Sequence, residues 1–274
     1  MKTPSEKIAI HVLTEYTPYS MGFVIVTPEQ RAIVIDGGRV GEWENLKYHV
    51  GDLPIAAWIV THPHGDHYEG LCHAMRKEDP FLERVEQFVF HFHEPDLYAA
   101  HGAEGEAARI RAIYEYLEAH GRTYVAPVAG DVLSFGGIDM EFLFHCNPSL
   151  VSNITNDSSL VFRIRGKDKS ILFLGDLGPE GGELLLERQR GNLGADIVQM
   201  AHHGHCGVGK AVYEEIAPKA CIWCCASWLY VEPDRPYFKD STTMFGVGTT
   251  RRWMRELGVT THYVTKDGDI VLYI

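Results

Sequence analysis

Within six positions the sequence gathers four metal-ligating side chains, His62, His64, Asp66 and His67. Imidazole nitrogens and a carboxylate together suit zinc, iron or manganese. In a turn, His62 and His64 can face one way and Asp66 and His67 another, so one short loop can serve two ions. Gly65 frees that loop to bend and Pro63 restrains it. The chemistry such a loop supports is hydrolysis by a metal-activated water. Two further groups stand apart in the chain. Gly175-Asp176 closes an apolar run, a placement that an ordinary turn aspartate also explains. His202, His203 and His205 follow another apolar run; loop histidines would account for His205 and one of the pair, but hardly for all three.

The elements that must position these residues are legible from periodicity. Residues 8–13, 22–27 and 31–35 are β-branched and aromatic runs separated by Pro and Gly, and read as strands. The third runs into Asp36-Gly37-Gly38, a turn that needs glycine freedom. Residues 56–60 form a short buried strand, so the histidine cluster begins at a strand's C-terminal end, where α/β folds collect their chemistry. Ile110, Ile113, Tyr114 and Leu117 fall on one helical face and predict a helix over 104–120, with Gly121 behind it. Strands are expected at 138–144, 158–165, 170–174, 195–200 and 219–226. Helices are expected near 182–189 and at 251–257, and two strands close the chain around Asp267-Gly268. The alternation His91-Phe92-His93 continues a strand-like run from Phe88 and leaves His93 at its end, a candidate substrate contact. Two sheets packed face to face with helices outside would satisfy this order.

Composition narrows the function. The 274 residues are 45% hydrophobic and 23% charged, with a net charge of −12 and no basic stripe. Long duplex nucleic acid is therefore not the expected partner, because phosphate neutralisation needs clustered Lys and Arg. A small molecule or a short phosphate ester is. No run approaches the roughly 20 apolar residues of a membrane span. The apolar run at 8–13 is too short for a signal-peptide core, and the six cysteines fit a reducing compartment, so a cytoplasmic location is expected. Cys221, Cys224 and Cys225 lie in an apolar strand and read as buried and inert.

In this order, the motifs resemble those of the metallo-β-lactamase superfamily, whose His-x-His-x-Asp-His signature stands here as His62-Pro63-His64-Gly65-Asp66-His67, preceded by Val34-Ile35-Asp36-Gly37-Gly38. The second half is similar to the soluble hydrolase domain of bacterial competence (ComEC-type) DNA-uptake proteins. That likeness rests on Asn156-Asp157-Ser158-Ser159, Phe173-Leu174-Gly175-Asp176, Ala195-Asp196-Ile197-Val198, His202-His203-Gly204 and Lys266-Asp267-Gly268-Asp269. The resemblance implies an α/β four-layer αββα sandwich, formed by residues 1–274 as one domain with a helical insertion at roughly 71–129. It implies that His62 and His64 ligate a first ion, that Asp66 and His67 ligate a second, and that Asp176 bridges them. His202, first past its strand, is preferred to His203 as the last ligand of the second ion, leaving His203 among the substrate contacts. Zinc is expected, as one or two ions, with manganese or iron as alternatives.

The chain departs from the superfamily pattern in two places. The turn Ser152-Asn153-Ile154-Thr155-Asn156-Asp157 lacks the third histidine of the first ion; Asp157 is a candidate substitute or substrate contact, and His145 a more distant one. Pro236 is followed by Tyr237-Phe238-Lys239-Asp240, without the histidine of the competence branch. The expected activity is metal-dependent hydrolysis of a phosphodiester or other phosphate ester, with Asp66 orienting the water and His205 protonating the leaving group. Hydrolysis of a lactone, thioester or β-lactam is the alternative, and a degenerate ligand-binding domain the non-enzymatic one.

Overall fold

The computed structural model describes residues 7–14, 16, 17, 19–231 and 244–274. The segment around Pro236, where the competence branch carries its histidine, lies outside the described residues. The strands form two seven-stranded mixed sheets. The first contains β1 (Ala9–Val12), β2 (Gly22–Val26), β3 (Ala32–Asp36), β4 (Ile55–Ile59), β5 (Phe88–Val89), β6 (Tyr124–Val125) and the last strand, β14 (Ile270–Tyr273), in the order β14-β1-β2-β3-β4-β5-β6. The second contains β7 (Val132–Phe135), β8 (Ile138–Phe144), β9 (Val161–Arg165), β10 (Ser170–Phe173), β11 (Ile197–Gln199), β12 (Ala220–Trp223) and β13 (Thr261–Val264), in the order β13-β12-β11-β10-β9-β8-β7. The pairings from β3 to β6 and from β10 to β13 are parallel, and the others antiparallel.

Side-chain alternation assembles the layers. Phe23, Ile25, Ile33 and Ile35 point between the sheets and meet Phe142, Phe162, Ile171 and Phe173 of the second sheet. Val24 and Val34, one residue out of phase, face outward onto α1 (Trp43–Val50), α2 (Gly65–Arg76) and α4 (Glu104–Ala119). On the opposite face, Val161, Leu172 and Val198 pack under α5 (Pro179–Gln189), α6 (Lys210–Ile216) and α8 (Val247–Glu256). The molecule is thus the αββα sandwich of the metallo-β-lactamase fold.

Most expected elements form, with instructive shifts. The helix expected at 104–120 is α4, and it buries Ile110, Ile113 and Leu117. The helix expected at 251–257 begins earlier, at Val247. The run from Phe88 to His93 is strand only at Phe88–Val89. His91 and His93 lie beyond it, ahead of a short helix α3 (Pro95–Ala100) that the periodicity does not reveal. The strand expected from residue 158 starts at Val161, because Asn156–Ser158 is a 3-10 turn. Cys221 is buried in β12 with its thiol pushed up to about 12 by burial, which fits the inert reading.

Phe162 is fully buried between the sheets, 5.0 Å from Phe173 and 5.6 Å from Phe142 by ring centroids. Truncation there removes a fully buried aromatic from the layer between the sheets. Phe162→Ala should cost about 3–5 kcal/mol in urea unfolding, whereas a loss under 1 kcal/mol would mean that the two sheets are not held by this layer.

Candidate metal centre

The strands β3, β4, β10, β11 and β12 all direct their C-terminal ends to one rim, and the chemistry collects there. Asp36 ends β3 with a positive φ of 60° and is wholly buried. Its carboxylate accepts the Thr61 N–H (2.7 Å), the Thr61 hydroxyl (3.0 Å) and His67 Nδ1–H (2.7 Å). Thr61 and His62 follow β4, and α2 begins at Gly65, so Asp66 and His67 lie in the first turn of a helix.

These contacts leave His67 Nε2 facing Asp176 Oδ2 at 3.2 Å. The same carboxylate oxygen lies 3.4 Å from His203 Nε2 and 3.8 Å from His62 Nε2. His203 Nε2 is 3.1 Å from Asp66 Oδ2, and His62 Nε2 is 3.2 Å from His64 Nδ1. Two ligand sets result. Asp66, His67, Asp176 and His203 form one, and His62, His64 and Asp176 the other, with ligand atoms within 4.8 Å of one another in each.

The donor chemistry fits a pair of metal ions. His67 Nε2 and both Asp176 oxygens are buried without a hydrogen-bond partner. Ligands about 2.0–2.1 Å from a tetrahedral ion stand about 3.3 Å apart, and the neighbouring donors here lie 3.1–3.8 Å apart. The rings are also fixed from behind, as metal-ligating imidazoles are. His67 Nδ1 bonds Asp36, His203 Nδ1 bonds the Cys224 carbonyl (2.7 Å), and His62 Nδ1 lies 3.1 Å from the Thr61 hydroxyl.

Where the sequence reading prefers His202, the geometry brings His203 together with the candidate ligands. The strand stops at Gln199, and a 3-10 turn at Ala201–Gly204 follows in which His202 (φ 49°, ψ 53°) and His203 (φ 55°, ψ 13°) are both left-handed. That handedness swings the second histidine, not the first, toward Asp66. Gly204 continues the turn at φ 90°, and a Cβ there would stand 2.6 Å from the Trp223 ring, so only glycine fits. His202 Nε2 is left 4.0 Å from Asp176 Oδ2 and outside both sets.

The other candidates lie elsewhere. Asp157 lies outside both ligand sets: its Oδ1 accepts the N–H groups of Gly178 (3.0 Å) and Gly181 (3.3 Å), capping α5. Burial pushes its carboxyl up to about 6. His145 stacks on His91 at 4.8 Å and accepts the Ala129 N–H. His93 is buried against Tyr98, with its pKa lowered to about 4 by burial and by His91 and His145. His205 and His202 line a pocket of about 400 Å³ with Asn156, Asp157 and Glu180. Burial, then His202 and His203, lowers His205 to about 3. Asp36 orients a candidate ligand from a position that reads in the sequence only as a turn. Its signal was a lone acid ending an apolar strand just before Gly37-Gly38.

Electrostatics of the metal-free rim favour protons where the ions would sit. Burial alone would lower His67, but Asp176 and Asp36 overcome it and push its pKa up to about 10. His203 is likewise raised, by Asp176 and Asp66 against burial, and both aspartates are driven down. A raised imidazole stabilises the metal-free fold fully below its ordinary value of about 6.5 and loses that contribution as pH climbs through about 10. At pH 7 the ions must therefore displace protons. Calorimetric zinc titrations in buffers of different ionisation enthalpy should reveal release of at least one proton per chain. Heats independent of the buffer would contradict this charge state. By mass-spectrometric metal count, His203→Ala should lose the ion of the four-ligand set and His202→Ala should retain it; the reverse would restore His202.

A family model described as the metallo-beta-lactamase superfamily matches residues 19–208. No curated protein matches the sequence significantly. Solved structures share the fold at low identity. The metallo-beta-lactamase fold protein YhfI from Bacillus subtilis aligns with a TM-score of 0.57 and 12% identity over 98% of this chain and 100% of that one. Unliganded yeast PDE1 aligns at 0.54 and 12% over 98% and 99%. CmlA, a diiron beta-hydroxylase from Streptomyces venezuelae, aligns at 0.57 and 15% over 99% of this chain but 55% of its own. With its signature loop, its αββα fold and two ligand sets sharing Asp176, the chain belongs to the metallo-beta-lactamase superfamily, most of whose members are metal-dependent hydrolases.

Proposed function

We propose that the protein hydrolyses a phosphodiester or related phosphate ester at a two-metal centre held by His62, His64, Asp66, His67, Asp176 and His203. The observation that carries this reading is the convergence of both ligand sets on one buried carboxylate, Asp176, since adjacent ions suit displacement at phosphorus. The motif likeness of the second half to competence DNA-uptake hydrolase domains supports the phosphate class. Zinc is the first choice of ion, with manganese and iron compatible with the same His and Asp donors.

When bound, the ions supply a nucleophilic water near neutral pH and positive charge for the developing oxyanion. The chain's residues do the rest. Asp36 holds the His67 ring so that Nε2 faces inward. The Cys224 carbonyl does the same for His203. Asp66, pinned by His203, offers its carboxylate to orient the attacking water. His205, kept neutral by burial in the adjoining pocket, is placed to hydrogen-bond a departing group. The three-ligand set gains no fourth His, Cys, Asp or Glu among the described residues, so its ion is the more weakly held. We read residues 1–274 as one domain with a helical insertion at roughly 71–129, which contains α3 and α4. Among the described residues no helix is long and apolar enough to cross a membrane.

With bis(p-nitrophenyl) phosphate and a lactone as a paired panel, the zinc- or manganese-loaded protein should cleave the phosphate ester. His64→Ala and Asp176→Ala should each lower that rate at least a hundredfold and lose bound metal. Turnover of the lactone alone would reject the phosphate class, and undiminished turnover in His64→Ala would reject the metal centre.

A further inference from the structure

Gly65, the residue between ligands His64 and Asp66, is flanked by two arginines from different elements. A methyl group placed on Gly65 would stand 3.8 Å from Arg39 Nη1 and 3.9 Å from Arg109 Nη2, with no other contact within 4 Å. Arg39 lies in the turn after β3, where its N–H bonds the Ser20 hydroxyl (3.2 Å) and its carbonyl lies against Gly70 of α2. Arg109 comes from α4, in the stretch that the family motifs do not cover. Both guanidinium groups therefore come within 3.9 Å of one point beside the His62–His67 loop, in a chain whose net charge is −12.

Each arginine also has one carboxylate neighbour. Arg109 bonds Glu106 through Nη2 at 2.8 Å, yet its Nε is buried with no hydrogen-bond partner. Arg39 pairs with Glu69 at 3.8 Å. Both arginines keep about a third of their side-chain surface open, at 36% and 34%. A guanidinium presents five donors in a planar fork that matches phosphate oxygens. The helix α2 begins at Gly65, so its positive end adds to the same field. A methyl group at position 65 would meet both guanidinium groups at ordinary contact distance, so a larger side chain there would compete with a ligand for them.

We propose that Arg39 and Arg109 clamp a second anionic group of the substrate, a phosphate distinct from the one being hydrolysed, beside Gly65. This rests on the phosphate-ester reading of the metal centre and narrows it to substrates carrying two anionic groups. The clamp is a binding device, and the acidic surface elsewhere would disfavour long polyanions that could not fit between the two side chains.

The test uses the metal-loaded protein and two esters that differ in one group, thymidine 5′-(p-nitrophenyl phosphate) with and without a 3′-phosphate. The wild type should favour the 3′-phosphorylated ester at least tenfold in kcat/KM, through KM. Arg39→Gln and Arg109→Gln should each cut that preference at least threefold, and Arg109→Lys, which keeps the charge but loses the fork, should fall between. A preference that is absent in the wild type, or unchanged in the variants, overturns the clamp. Calorimetric titration with orthophosphate decides the clamp independently of turnover. Each Gln variant should bind at least fivefold more weakly, and equal affinity, or no binding by the wild type, overturns it. A wild type that cleaves neither ester fails the phosphate-ester reading alone.

Discussion

A carboxylate with no access to water holds the catalytic rim together. Burying a charge is costly unless it is paired and hydrogen-bonded, and Asp36 meets that condition with the N–H and hydroxyl of Thr61 and with His67 Nδ1. Those three bonds join the end of β3, the end of β4 and the first turn of α2. They also fix which nitrogen of His67 faces the site. Burial raises the Asp36 carboxyl, and His67 opposes that rise, so the stability of the charge depends on the ring beside it. The fold pays for this pair with the apolar layers around it, Ile35 and Ile59 on one side and Val34 and Trp58 on the other.

From that anchor the site is completed across the interface between the sheets. Asp176 and His203 come from the ends of β10 and β11, whereas Asp66 and His67 come from the first sheet's side. Their Nε2 and Oδ atoms meet at 3.1–3.4 Å only because the two sheets pack with one offset. The aromatic layer between the sheets, with Phe23 on Phe173 at 5.1 Å, sets that offset. Without metal, the close approach of carboxylates to imidazoles is offset by protons held on His67 and His203. Metal binding and the sheet packing therefore act on the same few atoms.

The stretch after α2 has a second role besides covering the sheet. The Tyr98 hydroxyl of α3 donates to Ser158 Oγ at 2.9 Å, which ties this cover to the turn beside Asp157 on the second sheet. The same stretch brings Arg109 over Gly65. A segment that reads as a plain amphipathic helix thus reaches the metal loop with its polar face, while Ile110, Ile113 and Leu117 bury the other.

The sequence by itself determined the donor inventory and its local order. His62, His64, Asp66 and His67 sit in six consecutive positions, and a turn followed by a helix start can place them only in one loop. The strand ends that deliver Asp176 and the histidine pair follow from period-two apolar runs, and α4 from a period of 3.6. Only the tertiary structure decided which member of the pair meets Asp66 and Asp176. His202 and His203 are equivalent as residue types, and their choice depends on two left-handed residues in succession, a glycine against Trp223 and a carbonyl at the end of β12. It also decided that Asp157 caps α5, because the N–H groups of Gly178 and Gly181 are more than twenty positions away in sequence. The role of Asp36 waited on the same cause. A strand-end acid before two glycines looks like a turn until the fold brings His67 to within 2.7 Å of it.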